Sequence, residues 1–362
     1  MPTGDPDRPA DLRARLIAAI VRDGPMPVDR FMLACLSDPN EGYWQRPATI
    51  GARGDFITAP EISQVFGELI GLWCAVSWGL MGTPAPLRLI ELGPGKGTLM
   101  ADMQRTLAKA APRLHAATRV HLVETSVPMM EAQAQAVTPL SAHPPAWHAA
   151  LAEVDDGPSF VIANEFLDAL PIRQFIFDGQ AWRERLIGVT AAGELDFTLG
   201  PVRADLQIGP AAAGDVLEIR PAQDDVLADL AARTGPTMAL FIDYGPAAHA
   251  FGDTLQAMRH HAYADLLAAP GSCDLTAHVQ FATLAQTARN LGLAVDGPIT
   301  QAEFLGGLGL AVRTSRLMAA NPKDAAAIEL AAQRLVAPSG MGTLFKVLCV
   351  RSQGLPVPPP FG

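Results

Sequence analysis

The stretch RLIELGPGKGT, residues 88–98, decides the fold. It runs as an apolar strand, then three glycines spaced G-x-G-x-G, then the start of a helix. Glycines at such a turn let the backbone approach a ligand closely where a side chain would block it. The spacing is not that of a phosphate-binding P-loop, so Lys96 is not expected to bind phosphate. We therefore predict a cofactor site at Gly93, Gly95 and Gly97.

Two acidic residues near this turn indicate which cofactor it holds. Glu91 lies inside the strand, two residues before the first glycine, and Glu124 ends the next strand, VHLVE (120–124). A carboxylate there can accept both hydrogen bonds of a ribose diol, and two carboxylates favour a sulfonium over a pyrophosphate. The glycines alone would equally suit a tight turn without a ligand. With the acids, S-adenosylmethionine is favoured, and an oxidoreductase that uses NAD is kept as the alternative.

Polar residues also follow a later strand, FVIAN (160–164). Asn164, Glu165 and Asp168 come at its carboxyl end, where open α/β sheets build their active sites. If residues 165–168 form one helical turn, Glu165 and Asp168 share a face and can hold a guanidinium between them. We predict these three residues to be catalytic. The plainer interpretation makes them a helix start followed by solvated surface.

The rest of the chain alternates strands with helices, which predicts an α/β fold with a parallel sheet. Helices are expected near 10–22, 26–37, 97–110, 126–136, 222–233, 276–291, 301–308 and 322–335, and strands at 88–92, 120–124, 160–164, 238–244 and 342–351. Thr58 and Glu61 have the spacing of a capping box at the head of an apolar helix that runs to about Met81. The strand at 238–244 carries Asp243, for which no role is assigned, as for Asp274 and His278.

This pattern divides the chain into five segments. They are a helical N-terminal extension (1–82), the first half of a core (83–171), an antiparallel insertion (172–220), the second half of the core (221–352) and a tail (353–362) expected to be disordered from Pro356 onward.

Composition excludes several classes of protein. The chain has 362 residues, 49% of them hydrophobic and 18% charged, so it is not disordered as a whole. No run approaches the ~18 apolar residues of a membrane span. A net charge of −10 disfavours nucleic acid as a partner. Neither the four scattered cysteines nor the adjacent His260 and His261 have the spacing of a metal site, so no metal is predicted.

With these motifs, the sequence resembles the MidA-like family of S-adenosylmethionine-dependent methyltransferases. The resemblance rests on GDFITAPEIS (54–63), IELGPGKGTLMADM (90–103), ANEFLDALPI (163–172) and PGSCDLTAHVQF (270–281). It implies a Rossmann-like sheet of seven strands with the last strand antiparallel, a helical N-terminal extension and an inserted cover. It also implies that the glycines and Glu124 hold the cofactor, and that a loop with Gly54, Thr58, Pro60 and Glu61 closes over it.

The same resemblance implies an activity and a partner. We expect methylation of an arginine in a subunit of respiratory complex I, in support of assembly of that complex, and leave a homodimer open. A non-catalytic assembly chaperone is kept as a further alternative. Reduced cysteines and an N-terminus, Met1 to Pro9, without an apolar segment lead us to expect a cytoplasmic bacterial protein with no targeting signal.

Overall fold

The structure is a computed structural model that describes residues 11–45, 57–206, 208–259 and 261–362. Within these ranges the chain forms thirteen α-helices and fifteen strands. The helices are α1 (Leu12–Asp23), α2 (Val28–Ser37), α3 (Ala59–Ile62), α4 (Gln64–Leu80), α5 (Thr98–Ala110), α6 (Pro112–Ala117), α7 (Val127–Val137), α8 (Pro221–Ala232), α9 (Phe281–Asn290), α10 (Gln301–Gly307), α11 (Leu310–Ala320), α12 (Ala325–Val336) and α13 (Met341–Leu344). The strands are β1 (Met26–Pro27), β2 (Leu87–Leu92), β3 (Thr118–Val123), β4 (Ala146–His148), β5 (Ser159–Asn164), β6 (Arg173–Phe177), β7 (Trp182–Val189), β8 (Leu195–Val202), β9 (Val216–Ile219), β10 (Thr237–Tyr244), β11 (Gln256–Arg259), β12 (Ala262–Ala264), β13 (Asp274–Thr276), β14 (Ala294–Thr300) and β15 (Phe345–Arg351).

By its internal contacts the described chain separates into two compact units. The first comprises residues 1–49, 169–222 and 251–277, and the second comprises 50–168, 223–250 and 278–362. None of the helices in the described ranges has the length and apolar content that crossing a bilayer requires.

The second unit contains a seven-stranded sheet in the order β14-β15-β10-β5-β2-β3-β4. β4, β3, β2, β5 and β10 pair parallel with one another, whereas β15 pairs antiparallel with both β10 and β14. The central strands are buried on both faces, which explains their continuous apolar runs. The predicted α/β fold with an antiparallel last strand is confirmed.

Helices α4 and α5 cover one face of this sheet. The Trp73 ring of α4 packs against Phe160 of β5, with ring centroids 5.7 Å apart. α4 begins at Gln64, and its N-cap is Ser63, whose hydroxyl accepts a hydrogen bond from the Val65 amide at 3.3 Å. The predicted capping box at Thr58 is therefore wrong: residues 59–62 form the separate helix α3, and the Thr58 side chain makes no capping bond.

The first unit is built from antiparallel strands and the helices α1 and α2. Its larger sheet has the order β1-β7-β6-β9, with β8 paired to β7, and a smaller sheet has the order β12-β11-β13. Phe175, Trp182 and Leu217 form a buried apolar cluster on the larger sheet. All the pairings among these strands are antiparallel in the described residues.

Three sequence-based expectations for helices and the tail are wrong. The helix expected from 276 begins at Phe281, because residues 274–276 form β13. Helix α11 was not expected at all. The tail is not disordered from Pro356 onward: the Phe361 ring packs on Phe304 with centroids 5.8 Å apart, an apolar contact that a local sequence pattern does not reveal.

Candidate active site

The candidate site lies at the carboxyl edge of the seven-stranded sheet, within the second unit. Strands β2, β3 and β5 end at Leu92, Val123 and Asn164, and β10 ends at Tyr244. Parallel strands end at the same edge, so the residues that follow them are brought to that edge from distant parts of the chain.

The glycine turn after β2 has the backbone conformation that only glycine adopts readily. The φ angles of Gly93, Gly95 and Gly97 are 60°, 52° and 81°. A Cβ added to Gly93 would lie 2.7 Å from Cδ2 of Phe166, and one on Gly97 would lie 3.0 Å from a methyl carbon of Val137. At Gly93 and Gly97 the surrounding protein therefore leaves no room for a side chain.

Glu124 follows β3 directly, and its carboxylate is held by the chain. Oε1 accepts hydrogen bonds from the amides of Thr125 and Ser126, both at 2.8 Å. Oε2 accepts one from Nε2 of Gln133 at 3.1 Å. Burial raises the pKa of Glu124, and these three bonds oppose that rise. Oε1 already accepts two hydrogen bonds, whereas Oε2 keeps a further lone pair and can still accept a hydrogen bond from a ribose hydroxyl.

Gln133 is a site residue that sequence reasoning missed. It is fully buried on α7, where Nε2 also donates to the Gly95 carbonyl at 2.7 Å and Oε1 accepts from Trp147 Nε1 at 2.9 Å. One side chain thereby joins the glycine turn, the Glu124 carboxylate and strand β4. A signal existed: Met129, Gln133 and Val137 recur every four residues and form the buried stripe of α7.

Glu91 is buried inside β2 and is incompletely hydrogen-bonded. Its carboxyl group accepts a hydrogen bond from the Met100 amide, but Oε2 has no partner among the described residues. Burial raises the pKa of Glu91 to about 8. A buried polar atom without a partner is costly, so this carboxyl group, which is protonated at neutral pH, fits a ligand that brings a hydrogen-bonding group.

The segment after β5 is not the helical turn predicted from the sequence. Residues 165–168 form a bend and a turn, and Glu165 itself has a left-handed φ of 50°. The Glu165 amide donates to the Ile242 carbonyl at 2.9 Å, which fixes the start of this turn against β10. The structure nevertheless brings Glu165 and Asp168 near enough for the charge of Asp168 to raise the pKa of Glu165.

The Glu165 carboxylate is held through one of its oxygens. Oε1 accepts hydrogen bonds from the Ala59 amide at 2.9 Å and from Nδ2 of Asn164 at 3.1 Å. Burial, with the charge of Asp168, raises the pKa of Glu165 to about 7. Oδ1 of Asn164 is buried without a partner among the described residues. Two predicted residues thus present acceptors that the described chain leaves unused.

A third carboxylate, Asp243, reaches the same turn from β10. Its Oδ2 accepts hydrogen bonds from the amides of Leu167 at 2.9 Å and Asp168 at 3.2 Å. Its Oδ1 accepts from the Tyr244 amide at 2.9 Å. Burial and the neighbouring charge of Asp168 hold the pKa of Asp243 well above its usual range. The sequence placed Asp243 at this edge without assigning it a role.

Helix α3 contacts both the turn after β5 and the start of α5, which follows the glycine turn. The Ala59 amide donates a hydrogen bond to Glu165, and the Thr98 hydroxyl at the start of α5 donates one to Glu61. Pro60 is buried in the first turn of α3, and Thr58 is its N-cap residue. Gly54, predicted to contact the cofactor, lies outside the described residues.

None of the contacts described above joins Asp274 or His278, the other two residues without an assigned role, to this cluster of carboxylates. Asp274 is buried in β13 of the first unit. The His278 ring meets Tyr244 edge-on, with centroids 5.3 Å apart, within the second unit. Within the described ranges no group of three or more His, Cys, Asp or Glu side chains could hold a metal ion.

Known proteins similar to this chain agree on one chemistry. A family model for S-adenosyl-L-methionine-dependent methyltransferases matches residues 69–299. The Drosophila melanogaster homolog of the mitochondrial protein arginine methyltransferase NDUFAF7 is 36% identical, over 94% of this chain and 84% of its own length. The human protein of that name is 35% identical, over 84% and 74%. A Burkholderia thailandensis protein crystallised with bound S-adenosyl-homocysteine has a TM-score of 0.84 at 28% identity, covering 99% of this chain and 96% of that one.

These relatives correct one expectation from the sequence. A cytoplasmic bacterial protein was expected, but the curated relatives named above are mitochondrial proteins. Reduced cysteines therefore did not identify the compartment, because thiols stay reduced in more than one compartment of a cell.

Proposed function

The chain belongs to the family of S-adenosyl-L-methionine-dependent methyltransferases, and on that premise we propose that it methylates arginine in a protein, with Glu165 holding the guanidinium. The observation that carries this proposal is the Glu165 carboxylate, fixed through Oε1 by Ala59 and Asn164 at the carboxyl edge of the sheet. Carboxylates are the groups that best match the paired N–H donors of a guanidinium.

The cofactor residues proposed from the sequence have the properties that this cofactor requires. Gly93, Gly95 and Gly97 would let the backbone approach it, and Glu124 would accept from a ribose hydroxyl through Oε2. The unpartnered Oε2 of Glu91 supports a hydrogen-bonding group of the ligand nearby. When bound, S-adenosylmethionine supplies an electrophilic methyl group on a sulfonium. Gly54, Thr58, Pro60 and Glu61 are retained as proposed cofactor contacts.

The proposed chemistry requires the residues to orient, to exclude water and to accept charge. Methyl transfer is an in-line displacement in which the nitrogen–methyl bond forms as the sulfur–methyl bond breaks. In its ionised form Glu165 accepts N–H bonds from the guanidinium, orients one nitrogen and stabilises the positive charge on the group. Its pKa of about 7 also suits it to take up the proton that the methylated nitrogen loses. Asn164 and Asp168 complete the proposed set of catalytic residues.

We propose a subunit of respiratory complex I as the protein substrate, and methylation as support for assembly of that complex. The support is the family resemblance together with the arginine methyltransferase activity in the names of the relatives. A homodimer and the five-segment division of the chain also remain proposals, for which light scattering and limited proteolysis are the direct measurements.

Mass spectrometry of methylated arginine tests the proposed function. A strain that lacks the gene should lose methylation at one arginine or a small set, the wild-type gene should restore it, and Glu165→Ala should not. Isothermal titration of S-adenosyl-homocysteine into the Glu165→Ala protein is the control, since Glu165 is placed on the guanidinium and not on the cofactor. An unchanged set of methylated arginines in the deletion strain would contradict the proposal. If complex I assembly were restored by Glu165→Ala without methylation, the chaperone alternative would be favoured.

A further inference from the structure

We propose that Asp243 is the positioning residue that holds Glu165 in place for the substrate guanidinium. This inference rests on the proposed role of Glu165. Asp243 itself need touch neither substrate nor cofactor, because it acts through the backbone of the turn that carries Glu165 and Asp168.

The contacts of Asp243 extend across the whole turn. Its Oδ2 accepts hydrogen bonds from two consecutive amides, those of Leu167 and Asp168, at 2.9 and 3.2 Å. Its Oδ1 accepts a hydrogen bond from the Tyr244 amide at 2.9 Å, which fixes the carboxylate to its own strand. Because Asp243 is 1% exposed, water cannot replace it as the acceptor for these amides.

A second side chain holds the same turn from its carbonyl side. Nε2 of Gln223, which is buried at the start of α8, donates to the Leu167 carbonyl at 3.0 Å. Leu167 is thus held by its N–H and by its C=O at once. This leaves the turn little freedom to shift relative to β10.

The conformation of Glu165 explains why such support is needed. A non-glycine residue with a φ of 50° is less stable than in its usual conformations, and it persists only where its surroundings enforce it. The Glu165 amide is fixed by the Ile242 carbonyl before the turn, and Asp243 fixes the two amides that follow it. Without Asp243, the buried amides of Leu167 and Asp168 would have to find other acceptors and the turn would change.

The chain contains a control aspartate at the opposite end of the same two strands. Asp156 precedes β5 and accepts hydrogen bonds from the amides of Gly157 at 2.8 Å, Thr234 at 3.1 Å and Gly235 at 3.4 Å. It therefore joins the segments that lead into β5 and β10, as Asp243 joins the segments that leave them. Both aspartates accept hydrogen bonds from backbone amides, but Asp156 is exposed whereas Asp243 is buried, and only Asp243 lies at the edge that carries Glu165.

The experiment compares the full-length Asp243→Ala, Asp243→Asn and Asp156→Ala proteins with the wild type. Methyl transfer is measured from tritium-labelled S-adenosylmethionine into protein extract of the deletion strain. Cofactor affinity is measured by titration with S-adenosyl-homocysteine. Hydrogen exchange of a peptide that covers residues 163–170 reports on the turn itself.

We expect Asp243→Ala to lower kcat by about 10- to 100-fold while the Kd for S-adenosyl-homocysteine stays within about 3-fold. The 163–170 peptide should exchange faster. Asp243→Asn keeps an oxygen for the Leu167 and Asp168 amides, so it should recover much of the rate. Asp156→Ala should keep both the wild-type rate and the slow exchange of the peptide.

The inference would be overturned if Asp243→Ala kept the wild-type kcat. It would also be overturned if Asp243→Ala and Asp156→Ala lowered kcat equally. If the Asp243→Ala protein does not fold, the Asp243→Asn protein decides. The inference fails if the 163–170 peptide of Asp243→Asn exchanges as fast as in an unfolded control and if its kcat is no higher than that of this control. If the wild type labels no arginine, the proposed function fails. Exchange of the 163–170 peptide then still decides whether Asp243 holds the turn, since it needs no substrate.

Discussion

At the level of single residues, the proposed cofactor role of Glu91 would link the stability of the fold to the binding of the cofactor. Its pKa of about 8 means that the folded chain keeps a proton which the unfolded chain loses near pH 4.5. The contribution of Glu91 to stability therefore falls as the pH rises from about 4.5 to about 8. We predict that Glu91→Gln raises Tm relative to the wild type at pH 8, with a much smaller difference at pH 5.

The same substitution should weaken the binding of S-adenosylmethionine. Loss of a hydrogen bond to a charged group costs about 1.5–3 kcal/mol, which is roughly 10- to 100-fold in Kd. Asp102→Asn is the control, because Asp102 is another buried carboxyl group whose pKa burial raises. It should leave cofactor affinity unchanged. Equal affinity in Glu91→Gln and the wild type would remove Glu91 from the cofactor site.

Glu165 predicts how methyl transfer depends on pH. Only its ionised form accepts both N–H donors of a guanidinium, and its pKa is about 7. We expect kcat/KM for the protein substrate to rise between pH 6 and pH 8 and then to level off. The Glu165→Gln protein should be slow and should lack this rise. A rate that falls over the same pH range would contradict the assignment of Glu165 to the guanidinium.

At the level of elements, helix α7 holds the cofactor edge together through Gln133. Gln133→Ala leaves the Trp147 N–H and the Glu124 carboxylate without this partner, so we expect a loss of about 1–3 kcal/mol in the free energy of unfolding. Affinity for S-adenosyl-homocysteine should fall with it, because Glu124 loses the bond that orients Oε2. Chemical denaturation and titration calorimetry measure the two effects.

The matched control is Gln104→Ala in α5. Gln104 is equally buried, and its Nε2 contacts the Met100 sulfur at 3.8 Å. This variant should lose stability through the cavity it leaves, yet bind S-adenosyl-homocysteine as the wild type does. Parallel losses of affinity in both variants would mean that Gln133 acts only through packing.

What the sequence could predict at this level followed from local patterns. The sequence predicts the bounds of the strand that ends at Asn164 and of the helix that starts at Thr98 to within one residue of the structure. Apolar runs and glycine turns consist of consecutive residues, so they can be recognised in the sequence. The contact of Asp243 with Leu167 joins positions 76 residues apart, and no periodicity encodes it. The wrong helical turn at 165–168 has the same origin, since Glu165 is held in its φ of 50° by β10 and not by its neighbours in sequence.

For the whole molecule, the proposed cofactor residues that the structure describes lie within one of the two compact units. We predict that S-adenosyl-homocysteine slows hydrogen exchange in peptides from 89–98 and 122–135 but not in peptides from 173–202. A ligand that binds only the folded state raises stability with the logarithm of its excess over Kd, so Tm should rise with ligand concentration. NADH at the same concentrations should cause neither effect. Protection by NADH alone would favour the oxidoreductase instead.

The left-handed conformation of Glu165 also has a consequence for how this chain evolves. Thr83 shares that conformation, with a φ of 56°, and glycine would relieve the strain at both positions. In a library of variants sorted only for abundance in the cell, both positions should become enriched in glycine. When the same library is sorted for methylation, position 83 should still accept glycine, whereas position 165 should keep glutamate. If the two sorted pools differ at position 165, selection for activity keeps glutamate there although glycine would make the folded protein more stable.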